Sequence, residues 1–429
     1  MVEITAIVLS ALVVFTVAVG VRFVAERTTA PYTVLLVLYG FGISTVTLIT
    51  PISLPFGALL THDTVLYLFL PAILFQGAAE IDFEAFLRNV PISASLVLVG
   101  LPIAVGLIGV IGARAFAVPL AVALLFGSMV YPVDPVAVIS LYDEMGAPER
   151  LAVITEGESL IDDGLAIVVF GSLLSLVRQV GPTAETPIFT PGRLESLLSD
   201  FLVVTVGGVA VGLVVGYVTY RLQQFTDDSM TKFLLTVVAA YGSFLIGQRY
   251  LDVSGVLATV VVGLILGSAG KRYAVGQQGL EFLEHVWRAT VFVLNTILFT
   301  VIGTQVPVRT FVGRFPLIVG ATLVVLLARA AAVYSVTLGV NRVIDDPIPF
   351  RYRHVLVWGG LHGVIPVALA LSLSPNVPYR GRLRTLVFGV VVSSIVVQGL
   401  LMPYVLRALN VVEPEERRSG GTASTADEP

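Results

Sequence analysis

The chain has 429 residues, of which 56% are hydrophobic and only 13% charged, and its mean hydropathy is +0.94. Soluble domains carry about 25% charged residues, so this composition fits an all-α polytopic membrane protein and not a water-soluble enzyme. The 25 Lys and Arg against 29 Asp and Glu leave a net charge of −4, which argues against a nucleic-acid partner. With no cysteine, disulfides, iron–sulfur clusters and thiolate zinc sites are excluded, and none of the four histidines sits in an HExxH pattern. No cofactor is expected.

A helix crosses the hydrocarbon with about 20 apolar residues. Thirteen windows qualify: 3–23, 31–50, 64–81, 89–111, 116–141, 150–177, 199–221, 230–248, 252–269, 286–305, 312–338, 353–374 and 385–408. The first apolar run, Ile4 to Val21, has no basic segment before it and no small-residue cleavage site after it, so it reads as a spanning helix. Residues 1–410 form one membrane unit. The tail 411–429, with Glu413, Glu415, Glu416, Arg417 and Arg418 beside a Ser/Thr/Gly run, is predicted to be disordered. Fifteen of the Lys and Arg residues fall on one side of these spans and nine on the other, with Arg329 inside a span. The basic side is cytoplasmic, which puts the N-terminus outside and the C-terminus inside a plasma membrane.

Two windows carry helix breakers around charge. Window 116–141 contains Pro132 and Pro135 about Asp134, and window 353–374 contains Gly359, Gly360, Gly363 and Pro366 about His362. Proline removes a donor and clashes with the preceding turn. Such backbone is tolerated at membrane depth only against protein or a watery cavity. The two windows lie seven places apart in the order of spans and so cross in opposite directions. That is the arrangement of inverted repeats whose broken helices frame an ion site.

Between them lies Glu156-Gly157-Glu158-Ser159-Leu160-Ile161-Asp162-Asp163-Gly164, followed by the apolar stretch to Val177. A helix starting near Arg150 carries Asp163 about 20 Å along its axis, into the membrane interior. Glu158 with Asp162, and Ser159 with Asp163, fall on shared faces at i,i+4. Two neighbouring carboxylates at that depth should not both stay ionised without a cation. A site holding either a cation or a proton is the minimum that exchange requires. Arg329, in the middle of window 312–338, needs a permanent counter-charge, and Glu158 is its predicted partner. Asp134 is expected to compensate the ends of the half-helices. Gln76 offers a further amide oxygen, for a cation or for a cross-link between helices; Asn295, Ser254 and Tyr131 carry the same two readings, and Gly255, Ala258, Gly263 and Gly267 read as close helix packing.

Taken in order, these pieces resemble the monovalent cation:proton antiporters of the sodium/proton exchanger family, especially their prokaryotic branch. Glu156 to Gly164 is like the family's Glu-Gly-Glu-Ser-Leu-x-Asn-Asp-Gly run. Tyr131 to Val138 resembles its Pro-Thr-Asp-Pro-Val-Ala-Val segment, and Trp358 to Gly363 its Trp-Gly-Gly-Leu-Arg-Gly. Arg329 with Tyr334, Ser254-Gly255, and Asn295 with Phe299 and Gly303 match in order as well.

The resemblance implies thirteen helices, two crossed discontinuous helices, a homodimer, and elevator-type alternating access in pH homeostasis. It divides the membrane unit into core transport helices, about 64–177 and 286–374, and a dimerisation scaffold. It makes Asp163 the essential cation/proton carboxylate, Ser159 a nearby ligand, Glu158 with Arg329 a supporting ion pair, and Asp134 the acid of the broken helix. Asp162 stands where this branch usually has asparagine, so it joins Asp163 in the expected cation/proton site. Val133 replaces a threonine, Gln76 a glutamate, and His362, next to Gly363, an arginine. The function expected is Na⁺ (or Li⁺)/H⁺ antiport, a secondary transporter and not an enzyme. Its partners are monovalent cations, protons and membrane lipids. Its rivals are K⁺/H⁺ antiport, a passive cation channel, and an intramembrane aspartyl protease pairing Asp134 with Asp163.

Overall fold

Backbone groups in a bilayer must bond internally, so long apolar runs fold as helices. The computed structural model describes residues 4–28, 30–49, 61–180, 191–270, 277–305 and 308–412, and no strand occurs among them. Its elements are α1 (Ile4–Ala25), α2 (Tyr32–Ile49), α3 (62–80), α4 (Phe83–Ala115), α5 (Leu120–Val130), α6 (Val136–Met145), α7 (Glu149–Val180) and α8 (Pro191–Gln223). They continue with α9 (Ser229–Tyr250), α10 (Gly255–Ile265), α11 (Gln277–Thr304), α12 (Val308–Gly313), α13 (Phe315–Val340), α14 (Phe350–Trp358), α15 (Val364–Ser372) and α16 (Arg380–Ala408).

Helix occupies every predicted window. Among the described residues, seven helices are by themselves long and apolar enough to cross a membrane. Beyond Val412, the predicted tail lies outside the described residues.

Both predicted interruptions are present. The chain leaves helix at 131–135, between α5 and α6, and at 359–363, between α14 and α15. Some of the other starts and stops follow capping chemistry. Asp82 Oδ1 accepts from Ala85 N at the head of α4, and Asp228 Oδ2 from Thr231 N at the head of α9, both at 2.7 Å. Gly146, with φ 67°, ends α6 in the left-handed region.

The helices pack in two neighbourhoods. In one, α7 lies on α4 and α5, and α13 lies on α4 and α16. In the other, α11 lies on α2, α10 on α3 and α9, and α8 on α10. Small residues set the spacing in the second group. A Cβ added at Gly303 of α11 would stand 2.9 Å from Gly40 Cα of α2, and one at Gly263 would stand 2.7 Å from Ala78 Cβ of α3. Gly263 was one of the residues predicted for close packing. On α8, Leu202, Val203, Val206, Leu213, Val214 and Tyr217 are each more than half exposed, an apolar face turned away from the bundle.

Candidate cation/proton site

The site is built where the two interrupted segments cross. Asp134 N donates to Leu361 O at 2.7 Å, tying one break to the other. The helix that follows each break points its first N–H groups at the crossing, where free donors and the macrodipole favour negative charge. Asp134 answers both. Its Oδ1 accepts from Val136 N of α6 at 3.1 Å, and the Val364 N–H of α15 is directed at the same carboxylate. Gly363 permits this approach, because a Cβ there would collide with the Asp134 carboxyl group.

The opposite, carbonyl-rich helix ends face donors. His362 is 95% buried, and its Nδ1 lies 3.2 Å from Pro132 O, just beyond α5. A carbonyl only accepts, so Nδ1 carries the proton in this bond. Arg329 Nη2 donates to Leu356 O in the last turn of α14 at 3.1 Å. Arg329 also bonds Glu158 through both guanidinium ends: Nη1 with Oε1, and Nη2 with Oε2 at 2.8 Å. Glu158 is wholly buried and Arg329 nearly so.

Helix α7 presents two different faces here. On one, Asp162 is fully buried and its Oδ2 accepts from Val133 N at 3.1 Å, while Oδ1 has no hydrogen-bond partner. On the other, Ser159 Oγ donates to Val133 O at 3.0 Å. Val133 therefore contributes both backbone groups, with its side chain buried.

The face carrying Glu156, Ser159 and Asp163 lines a cavity of about 330 Å³, whose other walls include Gln76 on α3, Val133 to Val136, Asn295 on α11, and Gly363 to Pro366. Toward its mouth stand Glu80, Asp143 and Arg288, the last two residues of this set belonging to α6 and α11. Arg288 pairs with Glu80 at 3.3 Å.

Of the residues singled out from sequence, the cavity thus gathers Asp163, Ser159, Asp134, Val133, Gly363, Gln76 and Asn295. Asp162, Glu158, Arg329 and His362 do not line it; they form the buried framework behind it. Two supporting residues escaped the sequence reading. Ser394, in a π-helical turn of α16, accepts from His362 N at 3.2 Å. Gln398 exchanges bonds with Trp358: Trp358 Nε1 donates to Gln398 O at 3.1 Å, and Gln398 Nε2 donates to Trp358 O at 3.2 Å. Both sit in an apolar stretch without a charge, so nothing in the local pattern marked them.

A family described as "Sodium/hydrogen exchanger, transmembrane" matches residues 11–408. The chain belongs to this family. It is accordingly a multi-pass membrane protein. It is 33% identical over 412 residues to the Na⁺/H⁺ antiporter ApNhaP of Aphanothece halophytica, covering 95% of this chain and 76% of that one. It is 34% identical over 366 residues to the Na⁺/H⁺ antiporter NhaP of Pseudomonas aeruginosa, covering 82% of each. Its fold is similar to that of the sodium proton antiporter MjNhaP1 of Methanocaldococcus jannaschii. The TM-score is 0.73 at 20% identity, over 93% of this chain and 100% of that one.

Proposed function

We propose that this family member exchanges Na⁺ or Li⁺ for H⁺ by alternating access, with Asp163 as the carboxylate that takes either ion. The observation that carries the reading is one cavity, reaching Asp163 and Ser159 beside the crossing of two broken helices. In the state with this cavity open, a cation enters past Glu80 and Asp143 and displaces the proton from Asp163. Ser159 and the polar groups of the breaks replace part of its hydration. Either loaded form places less net charge against the apolar barrier than an empty carboxylate does, so the loaded forms move and the empty one does not. No covalent chemistry is involved.

The mouth is formed by the C-terminal ends of α3 and α6 and the early part of α11, next to Arg88 and Arg150 in sequence. On the basic-side argument that end is cytoplasmic, and the conformation is inward-facing in a plasma membrane. We propose thirteen crossings, with α3 joined to its neighbours in the scaffold. The sequence-based division put 64–177 and 286–374 in the transport core. Because α3 packs on α10 and α11 on α2, we propose α4–α7 with α13–α16 as the moving unit and α1–α3 with α8–α11 as the scaffold. The exposed apolar face of α8 is where a second copy would dock in a homodimer.

The test is Na⁺-driven proton movement in vesicles carrying purified protein. The parent is expected to exchange, and Asp163→Asn to abolish exchange while inserting normally. Exchange by D163N at the parent rate would overturn the assignment.

A further inference from the structure

Among the described residues, Asn295 is the one on the cavity wall with a buried side-chain polar atom that has no hydrogen-bond partner. It lies on α11 in the stripe Arg288, Val291, Phe292 and Asn295, spaced i, i+3, i+4, i+7, so one helix face lines the cavity from mouth to depth. Arg288, paired with Glu80, marks the outer end; Asn295 is two turns, about 10 Å, deeper. Its side chain is 9% exposed, and its Oδ1 is buried without a hydrogen-bond partner. Asn295 lines the cavity, and its buried amide oxygen, bonded to nothing in the protein, lacks the partner that a ligand or a bridging water would supply.

The helix that holds it is fixed. Phe292 stacks on Tyr32 of α2 with ring centroids 5.3 Å apart, and Trp287 contacts Phe75 of α3 at 4.7 Å. Trp287 Nε1 also donates to Thr236 Oγ1 of α9 at 2.9 Å. Asn295 therefore belongs to the α2–α3–α9–α11 side of the cavity. Asp163 and Ser159 come from α7, which packs on α4 and α5.

We propose that Asn295 supplies an oxygen ligand, direct or through one water, to the transported monovalent cation, and does so only while the cavity is open as seen here. This deepens the exchange reading and rests on it. If the α7 unit moves against the scaffold during transport, Asp163 and Ser159 travel with the cation and Asn295 stays behind. The cation then has one more oxygen on the side of this cavity than on the other, so Asn295 makes apparent affinity differ between the two faces.

The experiment compares Na⁺ saturation in everted and right-side-out vesicles of the full-length parent and of Asn295→Leu, which removes the amide while keeping the branch at Cγ. Losing one charge-assisted ligand should raise the half-saturating Na⁺ about tenfold on the side of the cavity, with maximal rate kept. On the other face the change should stay within about twofold. Asn295→Gln, which keeps a neutral amide oxygen there, should remain within about twofold of the parent on both faces. If N295L does not insert, Asn295→Ala carries the same expectation.

An unchanged half-saturation in the leucine variant, an equal rise on both faces, or equal impairment in N295Q and N295L would overturn the proposal. The outcome stays separable from the exchange reading: D163N decides whether Asp163 carries the ion, and an active parent with an inactive D163N and a normal N295L removes Asn295 alone.

Discussion

Glu158 and Arg329 show how little a buried pair has to do with net gain and how much with not being broken. Both are removed from water, and the guanidinium is shared between the Glu158 carboxylate and the Leu356 carbonyl. Replacing a well-bonded buried pair by apolar groups is often neutral, whereas removing one member strands a charge. Glu158→Gln is therefore expected to cost about 3–5 kcal/mol, read as a fall in thermal melting temperature in detergent. The double variant Glu158→Leu with Arg329→Met should recover most of that loss. A double variant no more stable than E158Q would mean that the pair is not the source.

The same stretch shows what a sequence can and cannot tell at this scale. Arg329 in an apolar span demanded a counter-charge, and Glu158 was its predicted partner; the ion pair is there. Asp162 and Asp163 were grouped because they are adjacent in the chain. Neighbours on a helix point about 100° apart, so Asp163 reaches the cavity while Asp162 turns to Val133 N in the framework.

At the scale of the element, the breaks were legible because proline and glycine act locally. Pro132, Pro135, Gly359, Gly360 and Gly363 interrupt α5–α6 and α14–α15 at the places the pattern marked. Their crossing was not legible from those residues, since it depends on a bond between Asp134 N and Leu361 O, more than two hundred residues apart in sequence. The π-helical turn of α16 was equally silent, because Ser394 to Gln398 reads as an ordinary apolar stretch. The crossing makes a sharp demand on Gly363. Alanine there would drive a methyl group into the Asp134 carboxyl, which is also bonded to Val136 N. Gly363→Ala is thus expected to lower transport by at least about tenfold, since a displacement of about 1 Å at such a site suffices for more. Gly381→Ala, on α16 where a Cβ would meet nothing within 4 Å, is the control and should exchange like the parent. G363A exchanging at the parent rate would mean that this contact does not govern the site.

At the scale of the whole molecule, the proposed competition between a cation and a proton for Asp163 fixes the sign of a stability effect. A cation that binds the folded protein stabilises it by mass action, about 2.7 kcal/mol at a concentration 100 times the dissociation constant. Only the deprotonated carboxylate takes the cation, so binding releases a proton and weakens as pH falls. Well above the pH at which the site titrates, Na⁺ stabilisation is complete. Below it, each unit of pH lowers the competent fraction about tenfold and removes about 1.4 kcal/mol of the effect until none is left. Melting curves in detergent with Na⁺ against choline, taken across pH, should show a melting-temperature gain that is large in alkaline buffer and absent in acid. D163N should show no gain at any pH. A Na⁺ effect that ignores pH, or that survives in D163N, would place cation binding somewhere other than this carboxylate and separate the proton from the cation it is proposed to replace.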